Sequence, residues 1–263
     1  MPDFSVAGRT AIITGASQGI GRGIAEHLAS EGAAVSVCSR SIDRVGPVAE
    51  AIQDEGGTAF AMECNVRDPD RVQEYVDATI DELGSVDLLV NNAGGQFRAP
   101  FEEISENGWE AIVDLNLNSV RHCTHAVGAH MREHGGGDVI NFSSLRAQIP
   151  SWNRTPYAAS KAAIINFTEN LALEWAEYDI AVNCIAPGLI HTPGVEDVLG
   201  LHEEDLEPRD TVDRRLGTVE DIAGIVQFLA SDAAAFMTGE VVTAKGTPRG
   251  TPFDIEEEVG VGN

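Results

Sequence analysis

A regular alternation of short apolar runs with helical patterns constrains the fold of this chain most strongly. The apolar runs fall at residues 10–14, 34–38, 58–64, 86–90, 138–142, 180–185 and 239–243. Between several of these runs, apolar residues recur at three- and four-residue steps, which is the spacing of an amphipathic helix. Largely apolar runs are typical of strands buried on both faces of a parallel sheet. The alternation therefore predicts an α/β fold, with a doubly wound, seven-stranded parallel sheet and helices on both faces.

The same pattern predicts a single domain over residues 1–250, because no internal repeat or linker interrupts it. Within it, residues 189–215 are rich in Asp, Glu, Pro and Gly with little periodicity, and we expect them to form a substrate-binding lid. Residues 251–263 are acidic and are expected to form a tail outside the domain.

A glycine-rich turn joins the first strand to the first helix, where residues 15–21 read GASQGIG. Such a turn presents backbone N–H groups at a helix N-terminus, which is a favourable place for a pyrophosphate. A glycine turn alone can serve packing only. Because a strand precedes this one and a helix follows it, we interpret it as the dinucleotide site of a Rossmann-type domain.

The end of the second strand carries Ser39 and Arg40 instead of an acidic residue that would bind a ribose 2′-hydroxyl. An arginine here suits a ribose 2′-phosphate, although it could also be an ordinary solvent-exposed side chain. NADP(H) is therefore the favoured cofactor, and NAD(H) stays possible.

Tyr157 and Lys161 lie four residues apart within a helix predicted over residues 155–177, so they share one helix face. Only two of the 17 basic residues are lysines, which indicates that this position needs a compact ammonium. A cation beside a phenol favours the phenolate, so we expect Lys161 to lower the pKa of Tyr157 toward neutral pH. The pair predicts general acid/base catalysis; the alternative is an accidental pair on a solvated helix.

The charge balance excludes some classes of partner. The chain has 42 acidic and 17 basic residues and a net charge of −25. That field repels nucleic acid and anionic membranes, and with no signal peptide or membrane span evident we expect a cytoplasmic protein. At molar salt the Debye length is ~3 Å, which screens the self-repulsion. The composition thus predicts a halophilic source and a stability that rises with KCl.

No metal site is expected from the cysteines or histidines. The four cysteines are far apart and form no C-x-x-C motif, as expected for reduced, buried thiols. Four histidines recur at helical steps, but no acidic or cysteine ligand completes a coordination shell with them: His122, His125, His130 and His134.

In combination, the motifs of this chain resemble those of the short-chain dehydrogenase/reductase family over nearly its whole length. The motifs are TGASQGIG at residues 14–21, NNAG at 91–94, Asn116 in mid-helix, YAASK at 157–161 and PG at 187–188. Ser144 lies thirteen residues before Tyr157, which is the family spacing.

The resemblance implies four catalytic residues. Tyr157 would be the general acid/base, and Lys161 would lower its pKa and hydrogen-bond the nicotinamide ribose. Ser144 would orient and polarise the substrate oxygen, and Asn116 would hold a water in a proton relay behind Lys161.

The resemblance also implies a set of cofactor-binding residues and a homotetramer. The chain departs from the family at Asn65, where Asp is common, and at residues 245–247, which read KGT instead of DGG. The implied cofactor residues are Thr14, Gly15, Ser17, Gln18, Gly19, Ile20, Gly21, Ser39, Arg40, Asn65, Val66, Asn92, Ala93, Gly94, Tyr157, Lys161, Pro187, Gly188, Ile190 and Thr192.

The intact Tyr157/Lys161 pair favours interconversion of a carbonyl and a secondary alcohol on a small molecule, such as a 3-oxoacyl thioester, steroid, sugar or polyol. The runs GGQF at residues 94–97 and LALEWA at 171–176 resemble the branch of peroxisomal enoyl- and dienoyl-CoA reductases. NADPH-dependent reduction of an enoyl thioester is therefore the second hypothesis. A non-catalytic dinucleotide sensor is a third, which the complete catalytic set disfavours.

Overall fold

The computed structural model describes residues 3–195 and 216–246, and within them seven strands form one sheet. Every predicted strand is present, with its ends shifted by at most two residues. The strands are β1 (Thr10–Thr14), β2 (Ala34–Ser39), β3 (Thr58–Glu63), β4 (Leu88–Asn91), β5 (Gly137–Phe142), β6 (Ile180–Pro187) and β7 (Val241–Ala244).

Neighbouring strands are all parallel, and their order is β3-β2-β1-β4-β5-β6-β7. The chain therefore starts in the middle of the sheet, winds out to β3, and returns to place β4 on the other side of β1. This reversal leaves a crevice at the carboxyl ends of β1 and β4, where doubly wound sheets bind ligands. The predicted fold is confirmed.

Helices connect the strands and cover both faces of the sheet. One described helix, α2, has no counterpart in the sequence prediction; Pro47 lies inside it, and a proline ordinarily ends a helix. The helices are α1 (Gly19–Ser30), α2 (Ile42–Asp54), α3 (Pro69–Leu83), α4 (Glu106–Val113), α5 (Ser119–Glu133), α6 (Thr155–Trp175) and α7 (Val219–Leu229).

Two apolar cores, one on each face, hold these helices to the sheet. On one face α1, α2 and α7 bury residues such as Leu28 and Val226 against β1 and β2. On the other face α3 and α5 bury Tyr75 and Met131 against β4 and β5, and the C-terminal part of α6 joins them. Burial from both sides explains why the strands are read as apolar runs and not as alternating ones.

Parts of the predicted domain plan lie outside the described residues. These are residues 196–215 of the predicted lid and the whole predicted tail at 251–263. The division into a domain over residues 1–250 and a tail therefore stays a prediction. Across 3–195 and 216–246, no helix combines the length and the apolar character needed to cross a bilayer.

Candidate active site

Two adjoining pockets open at the carboxyl edge of the sheet, around the crevice between β1 and β4. The larger has a volume of about 560 Å³ and the smaller a volume of about 320 Å³. They form one continuous cleft, because four residues line both of them: Ile20, Asn92, Gly94 and Thr192.

The glycine turn forms the floor of the larger pocket, and its glycines are required by geometry. Gly15 and Gly19 have φ of +67° and +57°, in the left-handed region. A Cβ added at Gly21 would lie 2.4 Å from Asn92 Nδ2. No side-chain hydrogen bond caps the start of α1 at Gln18, and the first residues of the helix line the pocket, so its first N–H groups lie at the pocket uncapped. This arrangement fits the pyrophosphate of a dinucleotide.

Thr14 lies beneath the larger pocket instead of in its wall, and it joins the ends of β1 and β4. Its Oγ1 accepts hydrogen bonds from the backbone N–H groups of Asn92 (3.1 Å) and Ala93 (3.0 Å). In return, Asn92 Nδ2 donates to the Thr14 carbonyl at 2.9 Å. These hydrogen bonds fix the loops after β1 and β4, which bound the crevice. Thr14 therefore affects a bound ligand only through the positions of those loops.

The far end of the larger pocket, beyond β2 and β3, is lined by Arg40, Asn65 and Val66. It also contains Arg44, which the sequence analysis missed and which lies in the first turn of α2. Arg44 Nη2 donates to Gln18 Oε1 at 3.0 Å. The residue could have been found from its spacing, four positions after Arg40.

The smaller pocket is built around the first two turns of α6, which hydrogen bonds to β5 and the residue that follows it hold in place. Ser143 Oγ donates to the Lys161 carbonyl at 2.7 Å, and Lys161 Nζ donates to the Phe142 carbonyl at 2.7 Å. Farther along the helix, Asn141 Nδ2 donates to Thr168 Oγ1 at 3.0 Å. Tyr157 is thereby held in the wall of the pocket, one turn before the buried Lys161.

The expected lowering of the Tyr157 pKa by Lys161 is wrong for this structure. Burial raises the pKa of Tyr157, and the hydrogen bond with Ser144 and the charges of Arg154 and Arg146 oppose that rise. Lys161 Nζ is 5.8 Å from the centre of the Tyr157 ring and is directed at the Phe142 carbonyl. Burial also lowers the pKa of Lys161 itself, to about 8.

Ser144 ends the segment after β5 and lines the smaller pocket beside Tyr157. Its Oγ accepts a hydrogen bond from the backbone N–H of Arg146 at 3.2 Å, which leaves the hydroxyl proton available to another acceptor. The Ser144 hydroxyl and the Tyr157 phenol therefore converge on one region of the pocket. Two such donors can bind a single substrate oxygen.

Asn116 is fully buried behind the cleft, in a π-helical turn at Asp114–Asn118 between α4 and α5. Its Nδ2 donates to the Gly95 carbonyl at 2.8 Å, and its Oδ1 accepts from the Gly95 N–H at 3.2 Å. A Cβ added at Gly94 would lie 2.9 Å from Asn116 Oδ1 and 3.4 Å from Lys161 Nζ. Asn116 thus holds the loop after β4 against the back of the Lys161 site.

All of the predicted site residues other than Thr14 and Asn116 line one of the two pockets. Those in the larger pocket are Gly15, Ser17, Gln18, Gly19, Ile20, Gly21, Ser39, Arg40, Asn65, Val66, Asn92, Ala93, Gly94 and Thr192. The smaller pocket is lined by Ser144, Tyr157, Lys161, Pro187, Gly188 and Ile190, in addition to the residues that both pockets share.

The sequence analysis also missed two arginines of the smaller pocket, Arg146 and Arg154. They lie two residues after Ser144 and three before Tyr157. Elsewhere, His130 and His134 stack on each other at 4.0 Å. Among the described residues, no three His, Cys, Asp or Glu side chains are grouped to hold a metal ion.

Known proteins resemble this chain over nearly its whole length. The family model described as short chain dehydrogenase matches residues 9–199. The 7α-hydroxysteroid dehydrogenase of Escherichia coli K12 is 38% identical over 239 residues, which are 91% of this chain and 93% of that protein.

Two solved structures illustrate the likeness of the fold. A 7α-hydroxysteroid dehydrogenase complexed with NADH and 7-oxo glycochenodeoxycholic acid is 36% identical, with a TM-score of 0.85 and coverage of 92% of this chain and 95% of that one. A gluconate 5-dehydrogenase from Burkholderia cenocepacia J2315, in complex with NADP and tartrate, is 33% identical, with a TM-score of 0.85 and coverage of 92% and 96%.

Proposed function

The chain belongs to the short-chain dehydrogenase family, and from this premise we propose which of its residues perform the reaction. The protein is an NAD(P)-dependent oxidoreductase that interconverts a carbonyl group and a secondary alcohol by hydride transfer. One observation carries the assignment of residues: the smaller pocket is lined by Ser144, Tyr157 and Lys161 and is continuous with the larger pocket at the glycine turn.

A bound nicotinamide supplies or accepts the hydride, and the protein positions the substrate and moves one proton. We assign that proton to Tyr157 Oη, which gives it to the carbonyl oxygen in reduction and takes it from the alcohol in oxidation. Ser144 Oγ donates a second hydrogen bond to the same oxygen and favours the negative charge that develops there.

Lys161 lies one helical turn after Tyr157 and supports this proton transfer. Below about pH 8 it is an ammonium, and the bond to the Phe142 carbonyl uses only one of its three donors. We assign the other donors to the nicotinamide ribose and to a proton relay whose water Asn116 helps to hold.

We propose that the enzyme prefers NADP(H) to NAD(H), with Arg40 and Arg44 at the ribose 2′-phosphate. Both guanidinium groups belong to the far end of the larger pocket, where two forks can share one phosphate. We expect Arg40→Gln and Arg44→Gln to raise the KM for NADPH by roughly tenfold or more while changing the KM for NADH little. The control is Arg132→Gln, an exposed change near the end of α5 and outside both pockets.

The experiment that tests the reaction is NADPH oxidation with an acetoacetyl thioester and with a crotonyl thioester. Turnover of the first supports carbonyl reduction, and turnover of the crotonyl thioester alone would establish enoyl reduction instead. The relatives described above are named as a 7α-hydroxysteroid dehydrogenase and a gluconate 5-dehydrogenase, and not as enoyl reductases. Binding of NADPH without turnover of any carbonyl or alcohol in a wide panel would favour a dinucleotide sensor.

We also propose that the enzyme works as a homotetramer in a salt-rich cytoplasm. The net charge of −25 supports the high-salt setting. Two exposed apolar side chains support an interface beside α6: Leu173 is 82% exposed, and Trp152, before the helix, is 79% exposed. Light scattering in KCl is expected to give a mass near four chains.

A further inference from the structure

The charged side chains that line the smaller pocket are basic, which the acidic composition of the chain does not predict. Carboxylates outnumber basic side chains in the whole chain by 42 to 17. Of the described residues that line this pocket, the charged ones are Arg146, Arg154 and Lys161, and none is Asp or Glu. Three basic side chains thus line a volume of about 320 Å³ in a strongly negative protein.

The two arginines are placed on the substrate side of the cleft. Neither lines the larger pocket, so neither is positioned for the phosphates of the cofactor. Arg146 belongs to the 3₁₀ turn Leu145–Ala147, directly after Ser144. Arg154 immediately precedes α6, and its Nη1 donates to Ser151 Oγ at 2.9 Å. The segments that carry the proposed catalytic Ser144 and Tyr157 therefore also carry a guanidinium each.

Both arginines line the same pocket as Ser144 and Tyr157. Their charges oppose the rise in the pKa of Tyr157 that burial causes, as expected for cations in the wall of the same pocket. Arg154 is 6% exposed, and burial in a low-dielectric environment strengthens its interaction with a nearby anion. An arginine fork also matches the two oxygens of a carboxylate.

We propose that Arg146 and Arg154 bind a carboxylate carried by the substrate, so that the enzyme acts on oxo acids and hydroxy acids in preference to neutral ketones and alcohols. The proposal rests on the function proposed above, because it assigns the substrate class of that same site. It also explains how an anion can enter this protein, whose overall field repels negative charge.

The test uses pairs of ketones that differ only in charge. Acetoacetate, 4-oxopentanoate and 5-oxohexanoate are each compared with their methyl esters as NADPH-dependent substrates at fixed ionic strength. We expect kcat/KM for the acid to exceed that for the ester by roughly tenfold or more at one of these chain lengths, because charge-assisted hydrogen bonds are lost in the ester. The difference should appear mainly in KM.

Substitution of the arginines shows whether they are the cause. Arg146→Gln and Arg154→Gln should each reduce the acid-to-ester ratio of kcat/KM by roughly tenfold, and Arg146→Lys should restore part of it. The ratio removes any effect on the acidity of Tyr157, which the acid and ester share. Arg146 is only partly buried, so its variants answer the question even if Arg154→Gln does not fold. Arg132→Gln should leave the ratio unchanged.

A binding measurement separates this proposal from the reaction itself. With NADPH present, hexanoate should raise the melting temperature of the wild type more than hexanamide does, and Arg146→Gln should abolish that difference. If this holds while no acid, ester or other carbonyl or alcohol in a wide panel is turned over, the anion site stands and the proposed reaction is wrong. If acids and esters are turned over equally and hexanoate gives no Arg146-dependent shift, the reaction stands and the carboxylate proposal is overturned.

Discussion

Tyr157 and Lys161 share a helix face, but different surroundings set their ionisation. Lys161 is buried, which lowers its pKa, and its ammonium donates to the Phe142 carbonyl. Tyr157 lines the pocket, where burial raises its pKa and the Ser144 hydroxyl and two guanidinium groups oppose that rise. The spacing of the two residues was therefore readable from the sequence, whereas the source of the charge acting on the phenol was not.

The first prediction at this scale concerns the proton on Tyr157. Tyr157→Phe removes the phenolic hydroxyl and keeps the ring, so we expect kcat/KM to fall by about 10²–10⁴-fold. The dissociation constant for NADPH, measured by fluorescence, should stay within about threefold, because the pyrophosphate site is unchanged. Tyr178→Phe is the matched control, since Tyr178 is 38% exposed and lines neither pocket. A Tyr157→Phe enzyme with half the wild-type rate would remove Tyr157 from the mechanism.

The second prediction follows from the lowered pKa of Lys161. The group has a pKa of about 8 in the folded chain and an ordinary value of 10.5. Below about pH 8 Lys161 is protonated in both the folded and the unfolded chain. The buried ammonium then has its full destabilising effect on the folded chain. Between about pH 8 and 10.5 only the unfolded state keeps the proton, so this group makes stability rise with pH, by an amount on the order of 3 kcal/mol.

Urea unfolding of the wild type and of Lys161→Met between pH 7 and 10.5 measures whether the contribution of Lys161 to stability rises with pH. We expect the stability of the variant, relative to wild type, to decline as the pH rises through this window. The comparison is needed because other groups act in the opposite direction: burial raises the pKa of Cys184 to about 11. Loss of the hydrogen bond to the Phe142 carbonyl changes the stability of the variant by an amount that does not depend on pH. Parallel pH profiles would show that Lys161 titrates normally.

At the scale of elements, the sequence was most informative where one segment specifies its own structure. The Gly15 to Gly21 turn, the strand ends and the start of α6 could all be predicted, because they depend on local backbone geometry and burial. Arg154 could not be assigned, because only the packing of the loop before α6 brings it to the cleft. The sequence likewise placed Thr14 in the pocket wall, although its hydroxyl is used to join β1 to β4.

The prediction at this scale concerns the contact between α1 and the loop after β4. Gly21→Ala would force a Cβ to within 2.4 Å of Asn92 Nδ2 and 2.7 Å of the Gly15 carbonyl. We expect a loss of about 1–3 kcal/mol in the free energy of unfolding. Because the turn must shift, the dissociation constant for NADPH should also rise by roughly tenfold or more.

Gly224 in α7 provides the matched control for that change, since no atom lies within 4 Å of a Cβ added there. Gly224→Ala should stabilise the protein by about 0.5–1 kcal/mol through helix propensity, without changing NADPH affinity. Chemical unfolding and cofactor titration of both variants measure these effects. Equal stability of the Gly21 and Gly224 variants would show that α1 can move away from the loop at little cost.

At the scale of the whole molecule, a strong negative charge coexists with cationic sites for anions. The carboxylates repel one another and NADP(H) at long range, while Arg40, Arg44 and the arginines of the smaller pocket act only at short range. Salt screens the long-range term first, because buried or partly buried pairs are screened much less than exposed charges. We therefore expect added salt to raise both the stability of the fold and the affinity of the cleft for NADP(H).

The last prediction is that stability rises steeply with KCl. With 42 carboxylates against 17 basic residues, self-repulsion in dilute buffer opposes the compact state. We expect the melting temperature to increase by about 10 °C or more between 0.1 and 2 M KCl, corresponding to roughly 3 kcal/mol for a chain of this size. Sucrose is the control, since it stabilises by exclusion from the surface without screening charge, and it should leave the slope against KCl intact. A melting temperature that is flat in KCl would mean that the carboxylates are spaced too widely to repel, and the salt-rich setting would lose its physical basis.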